Sequence, residues 1–227
     1  MNKMNDFTFA YVDGGFDKHI QQSIRNYDQL LQDVVDFSRY FVENHTNIVD
    51  IGCSTGKLTD MLYKSNKDHC DKGNYIGIEI AKGFQKDLAK HKNYNFIHTD
   101  VRDFVFENCS FITSFFTLQF MSKKDRMQVL ESVHNGLNTG GAFIFAEKIM
   151  CRSSYIQDML TFNYYDYKGK SFSSEEIIKK EQQLRSMLKP NTWNEIKLSL
   201  TNAGFSTYER IWQNHMFIGV IAVKNTS

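Results

Sequence analysis

The stretch IVDIGCSTGKLT, residues 48–59, sets Asp50, Gly52, Cys53, Ser54 and Gly56 in a turn between an apolar run and the start of a helix. Turns of this kind hold phosphates, dinucleotides or other adenosine compounds. A phosphate-binding P-loop needs four residues between its first glycine and the following Gly-Lys, then Ser or Thr. Here only Cys53, Ser54 and Thr55 separate Gly52 from Gly56, and Leu58 follows Lys57. The dinucleotide pattern GxGxxG fails as well. Ser54 takes the place of the middle glycine that lets a pyrophosphate approach the backbone. A ligand with adenosine and no phosphate fits both departures, and S-adenosylmethionine (SAM) is such a ligand. Two further acids support it. Glu79 ends the run IGIEI, where a carboxylate can accept hydrogen bonds from both ribose hydroxyls. Asp100, in HTDVRDF, is placed to receive an adenine amino group.

These acids are useful only if the chain brings them to one edge, and the pattern predicts that it does. NIVDIG, NYIGIEI, NFIHTD, SFITSFFTLQF and GAFIFAEKI read as strands or contain one. KLTDMLYKS, AKGFQKDLAKH and SKKDRMQVLESVHNGL alternate with them as helices. That alternation implies a mainly parallel sheet with helices on both faces and ligands at the carboxyl ends of its strands. Before it, residues 18–44 carry apolar side chains at three- and four-residue spacing, a helical pattern; the residues before about Asp17 read as a mobile start. After Ile149 the rhythm breaks. Residues 150–191 read as a helical insertion, with Ser173 or Ser174 capping SSEEIIKKEQQLRSML and Pro190, the only proline, ending it. TWNEIKLSLTNAGF reads as a helix stopped near Gly204, and STYERIWQN and MFIGVIAVK as two closing strands. The expectation is one α/β domain over residues 1–227, Rossmann-like, with seven strands and the insertion ahead of the last two.

Composition narrows the function classes. The 227 residues carry 27 Lys plus Arg against 26 Asp plus Glu. Near-zero net charge gives no support for direct nucleic-acid binding. The four cysteines form no CxxC pair and read as reduced thiols of a cytoplasmic protein. No stretch has the apolar length to span a bilayer. No spacing among the histidines suggests a metal site.

DIGCSTG, TDVRDF, FFTLQFMSKKDR, GLNTGGAFIFAEKI and KKEQQLRSML together resemble the carboxy-S-adenosyl-L-methionine synthase family, within the class I SAM-dependent methyltransferases. The resemblance implies that SAM, or its carboxylated form, is bound. It implies that the methyl carbon of SAM is joined to a carboxylate released from prephenate, and that a separate enzyme spends the product on the tRNA wobble uridine. It also implies a homodimer. By matching positions, Tyr27 contacts the methionine part, Gly52, Cys53 and Ser54 shape the loop, Glu79 holds the ribose, and Asp100 with Val101 frames the adenine. Arg185 is the residue that would clamp the added carboxylate, while the catalytic base stays unassigned. Phe115 stands where the family has an asparagine, and Glu79-Ile80 where it has Asp-Asn. An ordinary methyltransferase acting on a small molecule or a nucleic acid, with His19, His98 or His215 as base, is the competing reading. A binding protein that keeps the pocket without turnover is the third.

Overall fold

A computed structural model describes residues 15–225. Seven strands make one sheet: β1 (Asn47–Ile51), β2 (Asn74–Glu79), β3 (Asn95–His98), β4 (Cys109–Phe115), β5 (Leu137–Lys148), β6 (Thr207–Asn214) and β7 (Phe217–Val223). Their order is β3-β2-β1-β4-β5-β7-β6. β1 to β5 pair in parallel, and β7 lies antiparallel to both β5 and β6. The strand order reverses between β1 and β4, which is where an open sheet of this type leaves a crevice.

Period-two alternation explains why the central strands are apolar along their whole length. Val49, Ile51, Ile112, Phe143 and Phe145 pack into the core on one face. Ile48, Phe111, Ile144 and Ala146 pack into a second core on the other. Each strand therefore needs two apolar faces, and helices cover both.

The helices are α1 (Phe16–Ser23), α2 (Tyr27–Ser38), α3 (Lys57–Asn66), α4 (Gln85–Leu88), α5 (Lys123–Gly136), α6 (Ser154–Lys168), α7 (Ser174–Met187) and α8 (Trp193–Asn202). The helical run expected over 18–44 is two helices. Asn26 breaks it with φ 62, a left-handed conformation that asparagine tolerates. The run also stops at Ser38, whose hydroxyl turns back to donate to the Val35 carbonyl at 2.6 Å. The helix expected over AKGFQKDLAKH shrinks to a 3-10 turn, Lys82–Phe84, and the single turn α4. Gly83 weakens it, and only Phe84 and Leu88 are buried anchors. The mobile start falls mostly outside the described residues, whereas Asp17 is already within α1.

The insertion is α6 and α7. Ser173 caps α7 in a full capping box with Glu176, and Thr192 caps α8 in the same way with Glu195. Its far end is tied to the 3-10 turn Leu118–Phe120 after β4 and to α5. The Lys189 N–H donates to the Gln119 carbonyl at 2.8 Å, and Arg126 donates to the Lys189 and Leu118 carbonyls. No helix among the described residues is long and apolar enough to cross a membrane.

Candidate active site

A cavity of about 610 Å³ opens at the carboxyl ends of β1, β2 and β4, with α1 and the insertion as further walls. Gly52, Ser54, Glu79, Asp100, Val101 and Phe115 all line it. Four loops and strand ends, far apart in sequence, thus deliver the expected residues to one place.

The glycine turn is built for a ligand other than a phosphate. A phosphate cradle leaves backbone N–H groups pointing at the ligand. Here Gly52 and Cys53 both donate to the Ile78 carbonyl, at 2.8 and 3.1 Å, and Ser54 donates to Glu79 Oε2 at 2.9 Å. The turn spends its first donors on the end of β2. Gly52 has φ 71, and a side chain there would overlap the Thr117 hydroxyl. The glycine is required by conformation and by its neighbour on the loop after β4.

Glu79 is fixed from both sides. Oε2 takes the Ser54 N–H and Oε1 takes the Ala81 N–H at 2.7 Å. Each oxygen keeps lone pairs for a ligand hydroxyl. Burial pushes its pKa up, against the pull of those backbone donors. Asp100 caps the 3-10 turn Val101–Asp103 by accepting the Arg102 N–H at 2.9 Å. The Arg102 guanidinium grips the same carboxylate and lowers its pKa, and Arg102 also reaches Asp125 at 3.5 Å.

Phe116 carries φ 55, unusual for a bulky residue, immediately after β4. Its N–H donates to the Ala146 carbonyl at 2.8 Å, and its ring packs on Phe217 and Tyr27. The kink aims Phe115, Phe116 and Thr117 along the cavity wall.

Other expected residues stand behind the wall. Asp50 is buried inside the sheet, where Thr59 and Thr113 each donate to it at 2.9 Å; burial raises its pKa to about 6. It ties β1 to α3 and β4. The Cys53 side chain packs with Phe84 and Leu88, so only its backbone shapes the turn. Gly56 has φ 80 and faces Phe96 and His91. Tyr27 is a core residue against Phe116. Arg185 lies on the exposed side of α7. Lys180, Leu184, Met187 and Leu188 line the cavity at the i, i+4, i+7, i+8 spacing of one helix face, and Arg185 is a hundred-degree step off it. Within one chain, therefore, Arg185 does not join the cavity.

Sequence reading missed the residues that do. Lys148, Lys168, Lys180, Thr117 and Gln119 line the cavity. The Gln119 side chain accepts the Lys148 N–H at 2.8 Å. Lys168 and Lys180 sit in polar helical stretches that look solvated in sequence; only the folding of α6 and α7 over the strand ends turns them inward. Of the three histidines, only His19 lines this cavity. Burial, with Lys180 and Lys168 nearby, lowers its pKa to about 4, so it is a neutral imidazole at physiological pH. His98 bonds the Glu79 carbonyl through Nδ1 at 2.9 Å.

Comparison with known proteins agrees with this geometry. A methyltransferase-domain family model matches residues 48–141. The folds of human N-acetylserotonin methyltransferase in complex with SAM and of the YcgJ protein from Bacillus are similar. TM-scores are 0.59 and 0.63, at 13% and 12% identity, over 89% and 88% of this chain and 52% and 100% of theirs. Two curated relatives are much nearer. A carboxy-S-adenosyl-L-methionine synthase of Staphylococcus epidermidis is 37% identical over 213 residues, 92% of each chain. One of Vibrio vulnificus is 29% identical, over 99% of this chain and 94% of its own. The turn, the Glu79 and Asp100 carboxylates and the insertion all fall within those matches, and the chain belongs to the carboxy-S-adenosyl-L-methionine synthase family, a SAM-utilising transferase on the class I methyltransferase fold.

Proposed function

We propose that the chain makes carboxy-S-adenosyl-L-methionine from SAM and prephenate. The observation that carries this is the continuity of the cavity from the Glu79–Asp100 edge to the insertion, in a chain whose likeness to synthases also covers the insertion. Glu79 holds the ribose hydroxyls with oxygens already oriented by Ser54 and Ala81. Asp100 and Val101 frame the adenine, with the Asp100 carboxylate kept ionised by Arg102. The Ser54 side of the turn and the Phe115–Thr117 kink bound the methionine end.

The chemistry balances without an external oxidant. The sulfonium acidifies its methyl group, which gives up a proton and leaves an ylide. Prephenate loses carbon dioxide and hydroxide to become phenylpyruvate. The ylide carbon bonds the carbon dioxide, and the proton and hydroxide become water. Walls from α1, α6 and α7 shield both the ylide and the carbon dioxide from solvent, which this sequence of steps requires. The product serves a separate enzyme that modifies the wobble uridine of tRNA. The working unit is a homodimer: Tyr155, Ile156, Met159 and Phe162 form an exposed apolar stripe along α6 that a second copy covers.

Turnover of SAM with prephenate, followed by mass spectrometry of the adenosyl product, tests the reaction. Sedimentation of the wild type and of Phe162→Glu tests the dimer: a dimer converted to a monomer is expected, and a monomeric wild type would remove that part.

A further inference from the structure

Two neutral groups of the cavity wall keep hydrogen-bonding capacity that the protein leaves unused. One is the Gln119 amide. The residue is only 6% exposed, and its Oε1 accepts the Lys148 N–H at 2.8 Å. A backbone N–H needs an acceptor, so the amide oxygen must face Lys148 and the NH2 must turn the other way. The second group is the Tyr164 hydroxyl on α6, in a residue 4% exposed. Burial, then the Glu181 carboxylate, holds this phenol well above its usual range, so the hydroxyl keeps its proton.

Among the described residues, neither the Gln119 NH2 nor the Tyr164 hydroxyl has a hydrogen-bond partner. Buried polar groups are normally paired, because desolvation without a hydrogen bond is costly. Neither atom is sealed in the packed interior, and both residues line the cavity. Both donors therefore open on the space that a ligand fills.

The two come from elements far apart in sequence and meet around Lys148. Gln119 holds the Lys148 backbone. The Tyr164 ring lies 5.4 Å from the Lys148 ammonium and 5.4 Å from the ring of Phe217, which pairs with Lys148 across β5 and β7. Gln119 also follows Thr117 by two residues, just beyond the kink that bounds the methionine end.

We propose that the Gln119 NH2 and the Tyr164 hydroxyl are the donors that receive the oxygens of the carboxyl group joined to SAM. The assignment rests on the synthase reading and gives residues to its carbon–carbon step. As the ylide carbon attacks carbon dioxide, its electron pair becomes the new C–C bond. One C–O π pair moves onto oxygen, and the sulfonium keeps its charge. Carbon dioxide is neutral and the product carboxylate is not, so fixed donors bind more strongly as negative charge reaches the oxygens. The insertion thereby gains a chemical role, since α6 carries one of the two donors over the strand ends.

The methionine part of SAM carries a carboxylate too, and a comparison of SAM with carboxy-S-adenosyl-L-methionine (carboxy-SAM) separates the two. Calorimetry on the full chain measures both dissociation constants for the wild type, Tyr164→Phe and Gln119→Glu. Tyr164→Phe removes one hydroxyl and leaves the ring packing. Gln119→Glu keeps an acceptor for Lys148 and puts an oxygen where the NH2 stood. Each variant should weaken carboxy-SAM about tenfold or more, the scale for a hydrogen bond to a charged group, while SAM stays within about twofold. Tyr164→Phe decides the case if Gln119→Glu fails to fold. Equal losses for the two ligands would assign the donors to the methionine carboxylate and overturn the proposal. Carboxy-SAM affinity unchanged in Tyr164→Phe, or no carboxy-SAM bound by the wild type at millimolar concentration, would overturn it as well. Turnover of SAM with prephenate scores the synthase reading separately. A selective loss of carboxy-SAM in the variants, with no carboxylated product from the wild type, keeps the subsite and removes the synthase. Carboxylated product from the wild type, with carboxy-SAM binding unchanged in Tyr164→Phe, does the reverse.

Discussion

The Glu79 carboxylate accepts the Ser54 backbone N–H at 2.9 Å, and so joins the end of β2 to the turn after β1. The contact fixes the acid before any ligand arrives, because the Ala81 N–H holds its other oxygen. The same contact uses up a turn donor that a phosphate would need.

Glu79→Ala should weaken SAM binding by about 1–3 kcal/mol, the scale for losing a charged hydrogen-bond partner. Glu79→Gln should lose nearly as much, since the amide NH2, itself a donor, would face a backbone N–H that donates to a carboxylate oxygen in the wild type. Calorimetry on folded protein measures both. Unchanged affinity would remove Glu79 from the ribose role.

Gly52→Ala should destabilise the turn as well as weaken SAM binding. The backbone is left-handed there, and the new methyl meets Thr117. Combining it with Thr117→Ala should restore part of the loss, about 1 kcal/mol, because the steric part is relieved and the conformational strain stays. Thermal unfolding of the two single variants and the double variant reads the coupling. Strict additivity would mean that Thr117 is not the obstacle.

Two buried carboxyls should make the protein less stable as pH rises. Burial holds Asp50 at about 6 and Glu147 at about 7, the latter despite Arg126 at 3.6 Å. Both folded-state values lie above the unfolded ones, so their contribution is fully present below about pH 4 and is lost as pH climbs through 6 and 7. Between about pH 5 and 8 the loss should be on the order of 1–3 kcal/mol. Denaturant melts at several pH values test it. Glu147→Gln should flatten the upper half of the profile; a profile that rises with pH in the wild type would contradict the assignment.

In the monomeric Phe162→Glu background, Arg185→Ala should change the dissociation constants for SAM and for carboxy-SAM by less than about threefold, because within its own chain the side chain stands on the exposed side of α7 and single surface contacts are worth little. A selective tenfold loss for carboxy-SAM would place Arg185 in a ligand site after all.

Much of this was legible in the sequence because it depends on local pattern. Period-two apolar runs gave the strands, the failed P-loop and GxGxxG spacings pointed away from phosphate, and Glu79 and Asp100 end strands that must reach one edge. The misplaced residues fail for one reason: sequence fixes an element but not the rotation or packing that aims each side chain. Asp50 is next to the turn in sequence yet points into the sheet towards Thr59 and Thr113. Arg185 and Leu184 are neighbours, and the helix turns one out and the other in. Lys168 and Lys180 went unnamed as site residues because nothing local shows that the insertion folds over the cavity. Asn26 breaks a helical run through one backbone angle that apolar spacing does not register.

The central claim is that this cavity joins a carboxylate to SAM, and isotope-traced mass spectrometry tests it most directly. Purified protein is incubated with SAM and with prephenate labelled at the ring carboxylate carbon. The expected product is an adenosyl sulfonium heavier than SAM by one carbon dioxide unit and carrying the label, formed together with phenylpyruvate. Unmodified SAM with no phenylpyruvate, or a methylated acceptor with S-adenosylhomocysteine, would contradict the account.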